Sequence, residues 1–147
     1  MFKRIVVGTD GSDTASVAVG QAVELAKATG SALDIVTAYE VGGTALSSDE
    51  KVEIPGDVQY EVGPRQEVNM VLDNAAGQAE QAGVTATTHA REGDPADALL
   101  DVAEEVGADL LIVGNKGMTG AKRFLLGSVP NKISHHAPCG VYIVRTT

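Results

Sequence analysis

The 147 residues predict an α/β fold, a parallel sheet sandwiched by helices, in one domain over 1–147. Two observations carry that expectation. Short runs rich in Val, Ile and Leu alternate along the chain with segments whose apolar residues recur at helical spacing. One run, Leu110-Leu-Ile-Val-Gly114, is apolar throughout, as a strand buried on both faces of a parallel sheet must be. No linker, repeat or low-complexity tract divides the chain.

Residues 3–8 read as the first strand, ended by Gly8. Ala15, Ala18, Val19, Ala22, Val23 and Ala26 then follow a helical period, which Gly30 stops. Leu33 to Tyr39 is the second strand. Residues 41–63 mix Gly, Ser, Asp, Glu and Pro without a period and read as a mobile surface loop. Val68, Val71, Leu72, Ala75, Ala79 and Ala82 mark a second helix, closed by Gly83, and Val84 to Ala90 a third strand. Asp94-Pro95 supplies an N-cap and a first-turn proline for a helix reaching Gly107. The fourth strand, 109–114, runs into a glycine-rich loop. A last helix, from about Ser128 to His136, is broken by Pro138 before the strand Val141–Arg145.

Composition excludes several function classes. With 20 acidic and 11 basic side chains the net charge is −9, a field that disfavours nucleic acid and anionic membranes. Aromatic residues are 3%, too few for a base-stacking platform or a flavin site. No apolar stretch approaches the ~20 residues of a bilayer span, and the N-terminus is no secretory signal. A single cysteine, Cys139, allows no internal disulfide, so a cytoplasmic location is the expectation.

The chemistry lies at two strand ends. The first strand ends in Gly8-Thr9-Asp10-Gly11-Ser12, and the fourth runs into GNKGMTGAKRFLLGS, residues 114–128. In open α/β sheets ligands bind beyond the carboxyl ends of strands where the winding reverses. Glycines at 114, 117, 120 and 127 let a phosphate approach the main chain, whose N–H groups can form an anion-binding nest. Ser128 opens a helix whose free N–H groups favour an anion. Lys116, Lys122 and Arg123 add local positive charge. Asp10 would repel bare phosphate, so it suits ribose hydroxyls or a phosphate-bound Mg²⁺. Neither the P-loop nor the Rossmann fingerprint is present.

Gly114-x2-Gly117-x9-Gly127-Ser128, the IVVGTDGS start and the LLGSVPNKISHHAPCGVYIVR ending resemble the universal stress protein family, ATP-binding branch. The resemblance spans essentially the whole chain and is weakest over 41–63. It implies an adenine nucleotide hydrolase-like, Rossmann-like fold: a five-stranded sheet of order 3-2-1-4-5, with strands 1 and 4 adjacent. It also implies ATP, with Mg²⁺ on the nucleotide. Thr9 and Asp10 would lie near ribose and phosphates, Ala38 near adenine, and Val113 and Gly114 at base and ribose. Gly117, Gly127, Ser128 and Val129 would meet the phosphates, beside Lys116. Gly8 stands where many members carry proline. Some members bind cyclic AMP, and the motif does not separate the two ligands.

The resemblance and the apolar edge strand 141–145 together suggest a homodimer through that strand. The function implied is a stress or signalling role through nucleotide-dependent interaction with a protein partner. No catalytic set is evident, and at most weak ATP hydrolysis is expected. His135 and His136 read as cations at a helix C-terminus, Cys139 as packing, and His89 has no partner visible in the sequence. Asp10 and Ser128 would also serve as local turn or capping residues.

Overall fold

The computed structural model describes residues 2–39, 57–115 and 128–146, the side chains of 57–65 excepted. Its strands are β1 (Arg4–Gly8), β2 (Ala32–Tyr39), β3 (Ala86–Glu92), β4 (Leu110–Gly114) and β5 (Gly140–Val144). The helices are α1 (Asp13–Thr29), α2 (Asp57–Gln81), α3 (Pro95–Val106) and α4 (Ser128–His136). All strand pairs are parallel, in the expected order β3-β2-β1-β4-β5. The chain winds outward from β1 through β2 to β3, then returns to the other side of β1 for β4 and β5. The winding therefore reverses between β1 and β4, and their carboxyl ends face the same crevice.

Alternation of side chains sorts the core into two layers. Ile5 and Val7 of β1 face α1 and α2, where Val19, Ala22, Leu72 and Ala79 meet them. Val6 points the other way, into α3 and α4, among Leu99, Val102 and Ile133. On β4, Leu111 and Val113 join the α3 side and Ile112 the α1 side. The near-continuous apolar runs of β1 and β4 are what two covered faces require.

Two sequence expectations change. The loop read over 41–63 is helical from Asp57, so 57–63 belong to α2. Gly63-Pro64 reads as a breaker, because proline has no N–H for the helix ladder, yet α2 runs through it. The third strand also lies two residues later than its composition suggests, pairing Leu33–Tyr39 with Ala86–Glu92. Residues 40–56 lie outside the described residues. No described helix is long and apolar enough to cross a membrane.

The amino end of the sheet is closed by Asp109. Its Oδ2 accepts from the Lys3 N–H at 2.7 Å and the Arg4 N–H at 3.0 Å. These backbone donors, Lys3 foremost, hold the carboxyl below its usual range despite partial desolvation. A lowered folded-state value stabilises the fold above the ordinary carboxylate range, and the gain is lost as pH falls through the folded value. Asp109→Asn is therefore expected to melt below the parent at neutral pH, with the gap closing as pH falls below the ordinary carboxylate range and through the lowered folded value. A gap that stays constant in melting curves across that range would rule out the charge as its source.

Candidate functional site

Why the β1–α1 turn takes its shape follows from short side chains bonding their own backbone. Thr9 Oγ1 accepts from the Gly11 N–H at 3.1 Å, and Asp10 Oδ1 from the Ser12 N–H at 2.8 Å. Ser12 in turn caps α1, accepting from the Ala15 N–H at 3.2 Å. Gly11 carries φ +84°, and a Cβ there would stand 2.7 Å from Val71 Cγ2, so both backbone and space demand glycine. The Thr9 N–H donates to the Val36 carbonyl at 2.9 Å, pinning the turn to β2.

This turn opens onto a cavity of about 270 Å³ at the carboxyl ends of β1, β2 and β4. Of the ten residues singled out from the sequence, Thr9, Asp10, Ala38, Val113, Gly114, Ser128 and Val129 all line it. Lys116, Gly117 and Gly127 lie outside the described residues, as do Lys122 and Arg123. Asn115 and Ser128, on either side of that segment, are placed: the first follows Gly114, and the second starts α4 at the cavity wall. Ser128 is the first helical residue of α4. Asp10 thus serves the turn and faces the cavity at once.

The cavity lining is mixed. Val36, Ala38, Pro95, Leu99 and Val113 are apolar, while Thr9, Asp10, Asp94, Gly114 and Ser128 bring polar and main-chain groups. The amino end of α4 brings its first-turn N–H groups and the positive end of its dipole to the cavity wall. Pro130 has no N–H, which leaves Ser128, Val129 and Asn131 as the first donors.

Sequence reasoning missed one wall. Asp94 and Pro95 open α3 and line the cavity, with Asp94 Oδ2 accepting from the Asp97 N–H at 3.1 Å. The signal was available: a helix that follows a parallel strand begins at the carboxyl end of the sheet, where the ligand crevice lies. Lys132 of α4 reaches across to Asp97 Oδ1 at 2.8 Å and Asp94 Oδ2 at 3.7 Å. The Asp97 hydrogen bond chiefly holds the ammonium above the ordinary lysine range. This bridge fixes the start of α4 against the start of α3. Asn115 was missed too. Its Oδ1 accepts from the Thr146 N–H at 2.9 Å and Oγ1 at 2.8 Å, tying the exit of β4 to the chain after β5.

The remaining polar candidates fall elsewhere. His135 and His136 are exposed in the last turn of α4, with rings 6.4 Å apart. No group of three or more potential metal ligands occurs among the described residues. Cys139 packs against the α3–α4 layer, and burial pushes its thiol up. His89 has a partner after all: its Nε2 lies 2.9 Å from Oδ1 of buried Asp34, whose Oδ2 meets Arg4 Nη2 at 3.1 Å. That cluster sits within the sheet face, away from the cavity lining.

A parallel sheet of this order, with a cavity at the switch point and a helix amino end in its wall, defines a doubly wound α/β protein with a ligand crevice where the winding reverses. Comparison with known proteins narrows this. The chain belongs to the universal stress protein family, whose profile matches residues 1–145. It is 37% identical over 150 residues to universal stress protein YxiE of Bacillus subtilis, covering 99% of this chain and 100% of that one. It is 38% identical over 148 residues to universal stress protein Rv1636 of Mycobacterium tuberculosis, covering 99% and 98%. Among solved structures, a universal stress protein in complex with cAMP superposes with a TM-score of 0.75 at 34% identity, covering 99% and 98%.

Proposed function

We propose that the chain is a single nucleotide-binding unit that holds an adenine nucleotide, ATP with Mg²⁺, in this cavity. It would act through a nucleotide-dependent interaction with a protein partner in the cytoplasm, as a binder more than as a catalyst. One observation carries the reading: a single cavity is lined both by apolar side chains that suit a base and by polar groups and a helix amino terminus that suit phosphates. Adenine would lie against Ala38 and Val113, the ribose by Thr9, Asp10 and Gly114, and the phosphates by Ser128 and Val129. Lys116, Gly117 and Gly127 would complete the phosphate side.

The donor set fits a metal that arrives on the nucleotide. Two carboxylates line the cavity: Asp10, with one oxygen engaged by Ser12, and Asp94, with one oxygen engaged by Asp97 and Lys132. Asp10 could add one ligand to phosphate-bound Mg²⁺, whereas an all-protein cage needs more. Cyclic AMP is the second reading, favoured by the 34%-identical neighbour solved with that ligand. A homodimer through 141–145 belongs to the same proposal.

Calorimetry tests it. ATP with Mg²⁺ is expected to bind with a micromolar or lower Kd, roughly −8 kcal/mol or better. Ser128→Ala is expected to weaken that by roughly 1–2 kcal/mol through loss of one charge-assisted contact. Absence of heat with either ATP or cyclic AMP would overturn the reading. Equal affinity in Ser128→Ala and the parent would move the phosphates off α4. A cyclic AMP affinity well above that for ATP would select the second reading.

A further inference from the structure

We propose that Leu99 sets how far the base can enter the cavity, and that Gly8 is glycine because Leu99 occupies its side-chain space. The inference rests on the adenine-nucleotide reading and adds the residue pair that determines base selectivity.

A Cβ built on Gly8 would lie 2.7 Å from Leu99 Cδ1, 2.9 Å from Cδ2 and 3.2 Å from Cγ. Carbon atoms do not approach that closely, so any larger residue at 8 must displace the leucine. Both residues line the cavity, Gly8 at the end of β1 and Leu99 from α3. Leu99 is one helical turn beyond Pro95, so the two stand on one face and form a continuous apolar wall. Leu99 is itself buried, in one cluster with the fully buried Val102, Ala103 and Val6. The cavity it lines is the open side towards which its isobutyl group can be displaced.

Two opposite consequences follow. Adding a methyl at 8 drives Leu99 into the base compartment and shrinks it. Shortening Leu99 deepens the compartment and admits a larger ring substituent. Neither change touches the polar end at Ser128, so the phosphate contacts are common to every ligand compared. Selectivity among adenine analogues, and not affinity in general, is the readout that belongs to this wall.

The test is calorimetry with ATP, N6-benzyl-ATP and 2-methylthio-ATP, whose substituents enlarge the base edges remote from the sugar. Gly8→Ala is expected to weaken ATP by at least about fivefold, and Gly8→Ala with Leu99→Val to recover most of that loss. Leu99→Val alone is expected to shift the preference for at least one bulky analogue over ATP by about tenfold. Leu99→Val is chosen over alanine because it removes one methylene and keeps the core filled, and melting curves confirm a folded sample. The proposal is overturned if the folded variants bind all three ligands in the parent's ratios while ATP still binds. If the parent binds none of them, the adenine-nucleotide reading has failed instead.

Discussion

Asp34→Ala is expected to lower stability by about 2–4 kcal/mol, around the low end of the about 3–5 kcal/mol that breaking a buried ion pair costs. Asp34 is only 1% exposed and is the third residue of β2. Its carboxylate joins three strands: Arg4 of β1 meets it at 3.1 Å and His89 of β3 at 2.9 Å. Alanine would leave both partners without their acceptor and open a void against Val6 and Val36. The cost stays below the maximum because Arg4 is 41% exposed and can recover solvent. At roughly 2–4 °C per kcal/mol for a chain of this size, the melting temperature should fall by about 5–15 °C. Asp34→Asn keeps an acceptor and loses the charge, so it should fall between parent and alanine. A loss below about 0.5 kcal/mol in urea titration would show the cluster to be a bystander.

That cluster also shows where the sequence ran out. Asp34 is separated by 30 and 55 positions from Arg4 and His89. Nothing local pairs them, and only the register of β2 against β1 and β3 brings them together. The apolar strands β1 and β4, by contrast, announce themselves, because burial on both faces forces a composition that solvent-facing strands lack. The cap of α3 was legible for a similar reason: Asp94 and Pro95 act within three residues of their targets. The cap of α1 was not, since it falls on Ser12 while Asp10, the expected turn or capping residue, bonds the Ser12 N–H in the turn before it. The start of α2 was not, since Gly63-Pro64 carries a local preference that the helix overrides.

The site divides along the same line. Seven of its residues were legible because each lies at a strand end or helix start, where the fold class fixes the ligand crevice. Leu99 was not, because a leucine one turn into an amphipathic helix looks like any other core position. What sets it apart is that it fills the side-chain space of Gly8, a contact across 91 positions that only the assembled sheet creates.

Ile143→Lys is expected to convert a homodimer into a monomer. In the observed order β5 is an edge, with β4 on one side only. Its sequence, Gly-Val-Tyr-Ile-Val, contains no charge or proline to blunt the open N–H and C=O groups. Its faces are already engaged: Val144 packs in the α1 layer, Val141 and Ile143 partly in the α3–α4 layer, and the Tyr142 hydroxyl reaches Gln21 at 3.2 Å. The chain after the strand turns inward, with Thr146 held by Asn115 on the β4 side. A second copy pairing antiparallel along β5 would satisfy the outer groups through a two-fold axis and cover the half-exposed Tyr142 rings. Lysine at 143 would place a charge within that junction in both copies, about the symmetry axis, where like charges repel. Light scattering should report twice the 15.1 kDa chain mass for the parent at micromolar concentration and one chain mass for the variant. ATP affinity should stay within about twofold, because the cavity lies at other strand ends. Ile143 is half-buried, so melting of the variant is measured alongside, and Tyr142→Glu supplies a second edge charge from a more exposed position. A parent of one chain mass would remove the dimer, and a dimer that survives both charges would place its interface on another surface.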